Sequence, residues 1–286
     1  MCLSLMKEQW DIAIILDACR YDVFKEVYEK YLPVGRLEKR FGASDTLDWL
    51  RSVFNGNVMN DVVYVSAHPG INSKGVEWVD FNATKRFHKV YDAWLSAWSW
   101  SIGTSLPAEV AEVAIRAINE YPDRKKIIHF MQPHFPYRKA PCPSTYSDLK
   151  GTRKNQKLGL IAERLIRNLI LSLRLNVSGS RTTYWQIKKI LRLDFLEDLN
   201  ELYWREYAVS DLKSFYRDNL EWVLEPVGRI AEEFSDSRIV ITSDHGEAFG
   251  ENGEFFHAYK TRNPVVRCVP FWRNEKAATQ NKKELG

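Results

Sequence analysis

Short apolar runs rich in β-branched residues alternate along this chain with segments whose apolar residues recur at helical spacing. The runs lie at 11–16, 61–67, 125–134 and 237–246, and the last two continue into loops. The helical segments lie at 20–32, 43–54, 108–121 and 210–234. This alternation predicts a mostly parallel sheet with helices on both faces. We therefore expect an α/β fold, a three-layer αβα sandwich, and treat residues 1–286 as a single domain.

A basic insertion interrupts this pattern at about 150–200. Residues 150–192 contain eleven Lys or Arg and one acid, Glu163, so the rest of the chain is acidic although the whole carries +4. Apolar residues between Leu158 and Leu173 recur at helical spacing, which predicts one or two amphipathic helices. Three interpretations remain: a solvated helix pair that covers the sheet, a helix on an anionic membrane surface, and nucleic-acid binding. Nucleic acid is the least favoured, because aromatic residues do not alternate with the basic ones.

The bulk composition places few limits on function. Hydrophobic residues make up 45% and charged residues 27% of the chain, which is ordinary for a globular protein. The four cysteines include no CxxC pair, which favours reduced thiols. The N-terminal apolar run is too short for a signal core, and no window of about eighteen apolar residues occurs. We expect a cytoplasmic protein, with peripheral membrane contact as an alternative.

Polar side chains follow three of the predicted strands. Asp17 follows the first, His134 follows the strand that contains His129, and Asp244 and His245 follow the last. In an open α/β sheet, ligands bind beyond the carboxyl ends of the strands. Carboxylate and imidazole together suit a divalent cation such as Zn²⁺ or Mn²⁺. The spacing therefore predicts a metal site at this edge, whereas His129 is expected to be a structural residue of the core.

Thr46 lies at the predicted start of the helix that follows the first strand. A helix N-terminus presents free N–H groups, which favour phosphate. A Thr hydroxyl is a poor nucleophile until coordination to a metal lowers its pKa. Thr46 is therefore the preferred nucleophile, with Ser44 as the alternative. His134 or His257 could neutralise the charge of a bound anion or protonate a leaving group.

The sequence resembles the alkaline phosphatase superfamily, and within it the sulfatase-like hydrolases and transferases. Four segments carry this resemblance: "DACRYD", "ASDTLDWL", "HFMQPHFPY" and "SDHGEAFGENGEFFH". The resemblance covers nearly the whole chain apart from the basic insertion. It implies that Asp17, Thr46, Asp244 and His245 bind one metal ion, with Thr46 as the nucleophile. It also implies that His257 binds a second metal or the substrate anion, and that His134 contacts substrate.

The chain departs from true sulfatases, because it contains no C/S-x-P-S-R motif for formylglycine. Thr46 at the nucleophile position shifts the expected substrate from sulfate esters to phosphate esters. The ion could be Zn²⁺, Mn²⁺, Mg²⁺ or Ca²⁺, and whether there are one or two stays open. A sulfatase, or a non-catalytic protein that binds an anionic lipid or polymer through the insertion, is the alternative.

Three further side chains receive an expected role from their position. Arg20 could bind the substrate anion or serve the structure. Glu247 and Glu251 are expected to hold the loop after the last strand in place. The Trp-rich segment 93–101 is expected to pack in the core or in a lid.

Overall fold

The computed structural model describes residues 5–54, 56–140, 207, 209–257 and 259–274. The predicted basic insertion lies outside these residues. Its helices, its three interpretations and the single-domain organisation of the chain therefore stay predictions.

A seven-stranded sheet forms the centre of the fold. The strands in chain order are β1 (Ile12–Leu16), β2 (Gly35–Phe41), β3 (Met59–Ser66), β4 (Phe87–Asp92), β5 (Trp98–Ser99), β6 (Thr104–Ser105), β7 (Lys125–Phe130), β8 (Ile239–Thr242), β9 (Ala248–Phe249), β10 (Phe255–Phe256) and β11 (Cys268–Asn274). The sheet order is β2-β11-β8-β1-β7-β3-β4. β1 is parallel to both of its neighbours, β7 and β8, and β11 is antiparallel to β8 and β2. The predicted, mostly parallel sheet is confirmed.

Helices cover both faces of the sheet. They are α1 (Tyr21–Val27), α2 (Thr46–Phe54), α3 (Ala93–Ala97), α4 (Pro107–Glu120), α5 (Val209–Glu233) and α6 (Pro264–Arg267). Alternate residues of β1 separate into two cores: Ile12, Ile14 and Leu16 pack with α1, α4 and α5, whereas Ala13 and Ile15 pack with α2. The predicted αβα sandwich is therefore confirmed. Among the described residues, no helix is long and apolar enough to cross a membrane.

The burial of α2 determines where its N-terminus lies. Trp49, Leu50, Val53 and Phe54 are all buried on the face that contacts the sheet. Burying side chains of this size contributes about 1.5–3 kcal/mol each. Just before α2, the N–H of Ala43 donates to the carbonyl of Asp244 at 2.9 Å. The start of α2 is thereby held against the loop that follows β8.

Candidate metal and catalytic site

The loop after β1 is held by contacts with both neighbouring strand ends. The N–H of Asp17 donates to the Phe130 carbonyl at 3.1 Å. Ala18 has a φ of 60°, which an L-residue rarely adopts without tertiary support. That conformation lets the Ala18 N–H donate to Oδ1 of Asp244 at 3.1 Å. On α5, the hydroxyl of Tyr216 donates to the Ala18 carbonyl at 2.7 Å and accepts from the Arg20 N–H at 2.8 Å.

The loop after β8 is equally constrained. The Ser243 hydroxyl donates to the Leu16 carbonyl at 2.5 Å and accepts from the Cys19 N–H at 2.8 Å, which joins this loop to that of β1. Any larger residue in place of Gly246 would force the backbone to move, because its Cβ would overlap the carbonyl oxygen of Val265. These contacts bring Asp244 next to Asp17, as the strand ends in the sequence predict.

Thr46 is the first residue of α2, and its side chain turns into this cluster. Its hydroxyl donates to Oδ2 of Asp244 at 2.8 Å and lies 3.4 Å from Nε2 of His245. Asp45 caps the helix, since its Oδ1 accepts the N–H of Asp48 at 2.9 Å. The remaining N–H groups of the first turn have no intrahelical acceptor, which is the usual basis of anion binding at a helix start.

The alternative nucleophile, Ser44, is engaged in holding the cap. Its hydroxyl lies 2.8 Å from Oδ2 of Asp45 and 3.1 Å from Oδ2 of Asp48, and it accepts the N–H of Lys260 at 3.0 Å. Its side chain is fully buried. The hydroxyl of Ser44 therefore faces the helix cap, whereas that of Thr46 faces Asp244.

His245 completes the first cluster. Its Nε2 lies 3.5 Å from Oδ1 of Asp17 and 3.5 Å from Oδ2 of Asp244. Its Nδ1 lies 2.9 Å from the Gly246 carbonyl, which orients the ring. Burial, and then the nearby imidazole of His257, hold the pKa of His245 well below its usual value. The neutral ring that results is the form that binds a metal.

A second cluster adjoins the first and contains His134, Glu247 and His257, whose potential ligand atoms lie within 4.8 Å of one another. Oε1 of Glu247 lies 3.1 Å from Nδ1 of His257. The ring of His257 is centred 4.3 Å from that of His245 and 5.1 Å from that of His134. Burial opposes ionisation of Glu247, but the imidazoles of His257, His134 and His245 lower its pKa overall.

This placement differs from the role expected for Glu247. Its carboxylate faces the histidines, and only its backbone carbonyl holds the loop, by accepting from Arg20 Nη1 at 3.1 Å. Glu251 does what was expected of both residues, because its carboxylate accepts from Arg20 at 2.9 Å and from the Phe249 N–H at 2.5 Å. The "SDHGE" motif contains Glu247, but local sequence does not show which way its side chain points.

Arg20 is enclosed by acceptors. Its guanidinium donates to both carboxylate oxygens of Asp22, at 2.9 and 2.6 Å, and to Glu251 and the Glu247 carbonyl. The residue is 5% exposed. Of the two roles considered for Arg20, these contacts favour the structural one over an anion contact.

His129 is buried in the core, as expected, but it is not satisfied there. Its Nδ1 lies 2.8 Å from the Tyr64 hydroxyl, whereas Nε2 has no hydrogen-bond partner and lies 4.0 Å from Oδ2 of Asp244. The alternation of side chains along β7 is a sequence signal for the face of the sheet on which His129 lies. His129 shares that face with Ile127, which packs towards α2.

The donor set fits a divalent cation. Asp17, Asp244 and Glu247 are each at most 2% exposed. Within the described parts of the chain, their only ion-pair partners are histidines. Burial, and then the charges of Asp244 and Glu247, raise the pKa of Asp17 well above its usual value. Three buried carboxylates without Lys or Arg need a compensating positive charge. Oδ1 of Asp17 and Oε2 of Glu247 also have no hydrogen-bond partner.

Comparison with known proteins supports this architecture at the level of the fold. No protein-family model and no curated protein matches the chain. Among solved structures, lipooligosaccharide phosphoethanolamine transferase A of Neisseria meningitidis, an integral membrane protein, matches 96% of this chain with a TM-score of 0.50 and 12% identity. The match spans 49% of that protein, so the chain has about half its length.

Two further solved structures match with lower TM-scores. The C-terminal periplasmic domain of a phosphoethanolamine transferase from Escherichia coli, in complex with Zn, matches 98% of this chain and 77% of its own at 12% identity and a TM-score of 0.47. A phosphonate monoester hydrolase from Silicibacter pomeroyi matches 93% of this chain and 68% of its own at 14% identity and a TM-score of 0.45. The chain therefore shares the fold of the Neisseria meningitidis transferase.

Proposed function

We propose that this protein is a metal-dependent hydrolase or transferase that acts on phosphate esters through Thr46. The observation that carries the proposal is the position of the Thr46 hydroxyl. It lies at the N-terminus of a helix, 2.8 Å from Oδ2 of Asp244, in a buried cluster of carboxylates and imidazoles. A nucleophile, its orienting acceptor and an anion-binding helix start meet at one point.

Asp17, Asp244 and His245, together with the Thr46 hydroxyl, would hold one divalent ion. When bound, such an ion lowers the pKa of a coordinated hydroxyl and stabilises negative charge on phosphoryl oxygens. The oxygen and nitrogen ligands are compatible with Zn²⁺ and Mn²⁺. His134, Glu247 and His257 would contact the substrate anion or hold a second cation.

The chain's own residues account for the bond changes. Oγ1 of Thr46 attacks phosphorus, forms the new P–O bond and expels the leaving oxygen on the opposite side. Oδ2 of Asp244 accepts the hydrogen bond that orients this hydroxyl, and the hydroxyl proton passes to solvent water as the new bond forms. The free N–H groups at the start of α2 bind the phosphoryl oxygens. Water or an acceptor hydroxyl then attacks the phospho-threonine and restores the Thr46 hydroxyl, which defines a hydrolase or a transferase respectively.

We assign protonation of the leaving oxygen to His257. Burial lowers the pKa of His257, but the adjacent carboxylate of Glu247 outweighs it, and the pKa lies above its usual value. A raised pKa keeps more of the imidazolium form available near neutral pH. His134 has the opposite character, since burial and then His257 lower its pKa, and it is suited to a neutral contact with substrate.

Two features of the wider proposal rest on sequence alone. Contact of the basic insertion with an anionic membrane surface, and a cytoplasmic location, both stay predictions. Co-sedimentation of the full chain with anionic and with neutral vesicles tests the first of them.

The function is tested by turnover of aryl phosphate monoester, phosphate diester and sulfate ester by the full chain with Mn²⁺, Zn²⁺, Mg²⁺ or Ca²⁺. We expect metal-dependent phosphate-ester cleavage that Thr46→Ala and Asp244→Ala both abolish. Ser44→Ala is the matched control, because it removes a neighbouring hydroxyl that faces the helix cap. Mass spectrometry of a rapidly quenched reaction should find the phosphoryl group on Thr46.

Other outcomes select the alternatives. Cleavage that survives Thr46→Ala but not Ser44→Ala would assign the nucleophile to Ser44. Preferential turnover of the sulfate ester would make the protein a sulfatase. A chain that binds no ion and cleaves none of these esters, but binds anionic vesicles, would be the non-catalytic binder.

A further inference from the structure

His129 lies in the floor of the site, on β7, beneath Asp244. Its side chain is completely buried, and the edge of its ring packs against Trp49 of α2, with centroids 5.7 Å apart. The Tyr64 hydroxyl, 2.8 Å from Nδ1, fixes the orientation of the ring. The proposed function assigns no role to either His129 or Tyr64.

The opposite ring nitrogen points towards Asp244. Nε2 of His129 is buried and has no hydrogen-bond partner. Oδ2 of Asp244 lies 4.0 Å from this nitrogen, which is too far for a hydrogen bond. Oδ1 of Asp17 is also buried and lacks a hydrogen-bond partner. Ligand atoms of Asp17, His129 and Asp244 all lie within 4.8 Å of one another, so the three side chains border the same small volume.

A cation satisfies this volume better than a water molecule does. When Nδ1–H of His129 donates to the Tyr64 hydroxyl, Nε2 carries a lone pair that faces the buried carboxylates. A water molecule could bridge the three groups, but it would leave two buried carboxylates without a positive charge. An ion bound by one imidazole and two carboxylates gives the lone pair of Nε2 a partner and supplies the positive charge that the carboxylates lack.

We propose that Asp17, His129 and Asp244 bind a divalent cation, with Nε2 of His129 as a ligand and Tyr64 as the residue that positions it. The inference rests on the proposed function, because Asp17 and Asp244 also belong to the proposed catalytic centre. It adds a ligand from β7, on the sheet side of the two carboxylates, to the ligands from the β8 loop and α2. The hydrogen bond from Nδ1 to Tyr64 corresponds to the outer partner that metal-binding histidines usually have.

The test uses the full chain, labelled with ¹⁵N in its histidine rings and titrated with ¹¹³Cd²⁺. We expect a resolved cadmium–nitrogen coupling to Nε2 of His129 in the unmodified protein, which does not depend on any variant folding. His129→Leu should remove that coupling and weaken Cd²⁺ binding at least tenfold. Tyr64→Phe should weaken binding by a smaller factor while the coupling remains, because the ligand is still present.

His88→Leu is the matched control. His88 is an exposed residue of β4 whose ring packs on Tyr121, and its replacement should leave both coupling and affinity unchanged. If Cd²⁺ couples to His245 and phosphate esters are cleaved, but the His129 signals do not respond to the metal, the inference is wrong and the proposed function stands. If the unmodified chain neither binds the metal nor cleaves esters, both are wrong.

Discussion

The hydroxyl of Tyr216 provides a direct test of how α5 supports the site. It donates to the Ala18 carbonyl at 2.7 Å and accepts from the Arg20 N–H at 2.8 Å. These bonds hold the left-handed conformation of Ala18, whose N–H in turn donates to Asp244. We expect Tyr216→Phe to destabilise the fold and to weaken metal binding, although the ring packing against Phe249 is preserved.

The expected magnitude follows from the burial of the two partners. Ala18 is fully buried and Arg20 is 5% exposed, so water cannot replace the lost hydroxyl without rearrangement. Leaving a buried polar group unpaired costs about 1–3 kcal/mol. Two such groups lead us to expect a loss of about 3 kcal/mol in the free energy of unfolding. In a chain of this size, the melting temperature should fall by about 6 °C.

Urea unfolding of the full chain, followed by circular dichroism, measures this loss, and metal titration measures the effect on the site. Tyr31→Phe is the matched control, because its hydroxyl donates to Glu221 at 3.0 Å in a half-buried position. That variant should lose less than about 1 kcal/mol. A Tyr216→Phe protein as stable as Tyr31→Phe would refute the claim that α5 holds the loop through this hydroxyl.

Three further predictions concern the loop after β8 and the buried acids. Gly246→Ala should destabilise the protein by about 1–3 kcal/mol in urea unfolding, because the added Cβ overlaps the Val265 carbonyl; an unchanged stability would contradict that packing. Burial raises the pKa of Glu251, but the Phe249 N–H and Arg20 outweigh it and hold the pKa at about 2. Since the unfolded value is about 4.3, Glu251 contributes stability above that pH that is lost as pH falls towards 2. Glu251→Gln should remove this part of the acid dependence of the melting temperature, and an unchanged profile would contradict it. Chelation should lower the melting temperature and added Mn²⁺ or Zn²⁺ should restore it, because an ion that binds the folded state stabilises it; indifference to both treatments would argue against a metal among the buried acids.

Local patterns were sufficient for the elements that flank the site. The apolar runs of β1, β7 and β8 and the 3.6-residue periodicity of α2, α4 and α5 appear in the structure where they were expected. The edge strand β2 was not predicted, because Arg36, Glu38 and Arg40 interrupt any apolar run. Its stability comes from β11, more than 220 residues later: Arg40 lies 3.6 Å from the centre of the Phe271 ring. No local window contains both partners.

The sequence by itself determined which polar groups stand at strand and helix ends: Asp17, Thr46, Asp244 and His245. It did so because strand and helix periodicities act over a few residues. Only the tertiary structure decided that these ends meet, since β8, β1 and β7 are neighbours in the sheet although some 220 residues separate β1 from β8. Tertiary packing also directs Glu247 towards His257, engages Ser44 in hydrogen bonds with the helix cap, and points Nε2 of His129 towards the buried carboxylates. Side-chain direction depends on what packs against each residue, and that information is distributed over the whole chain.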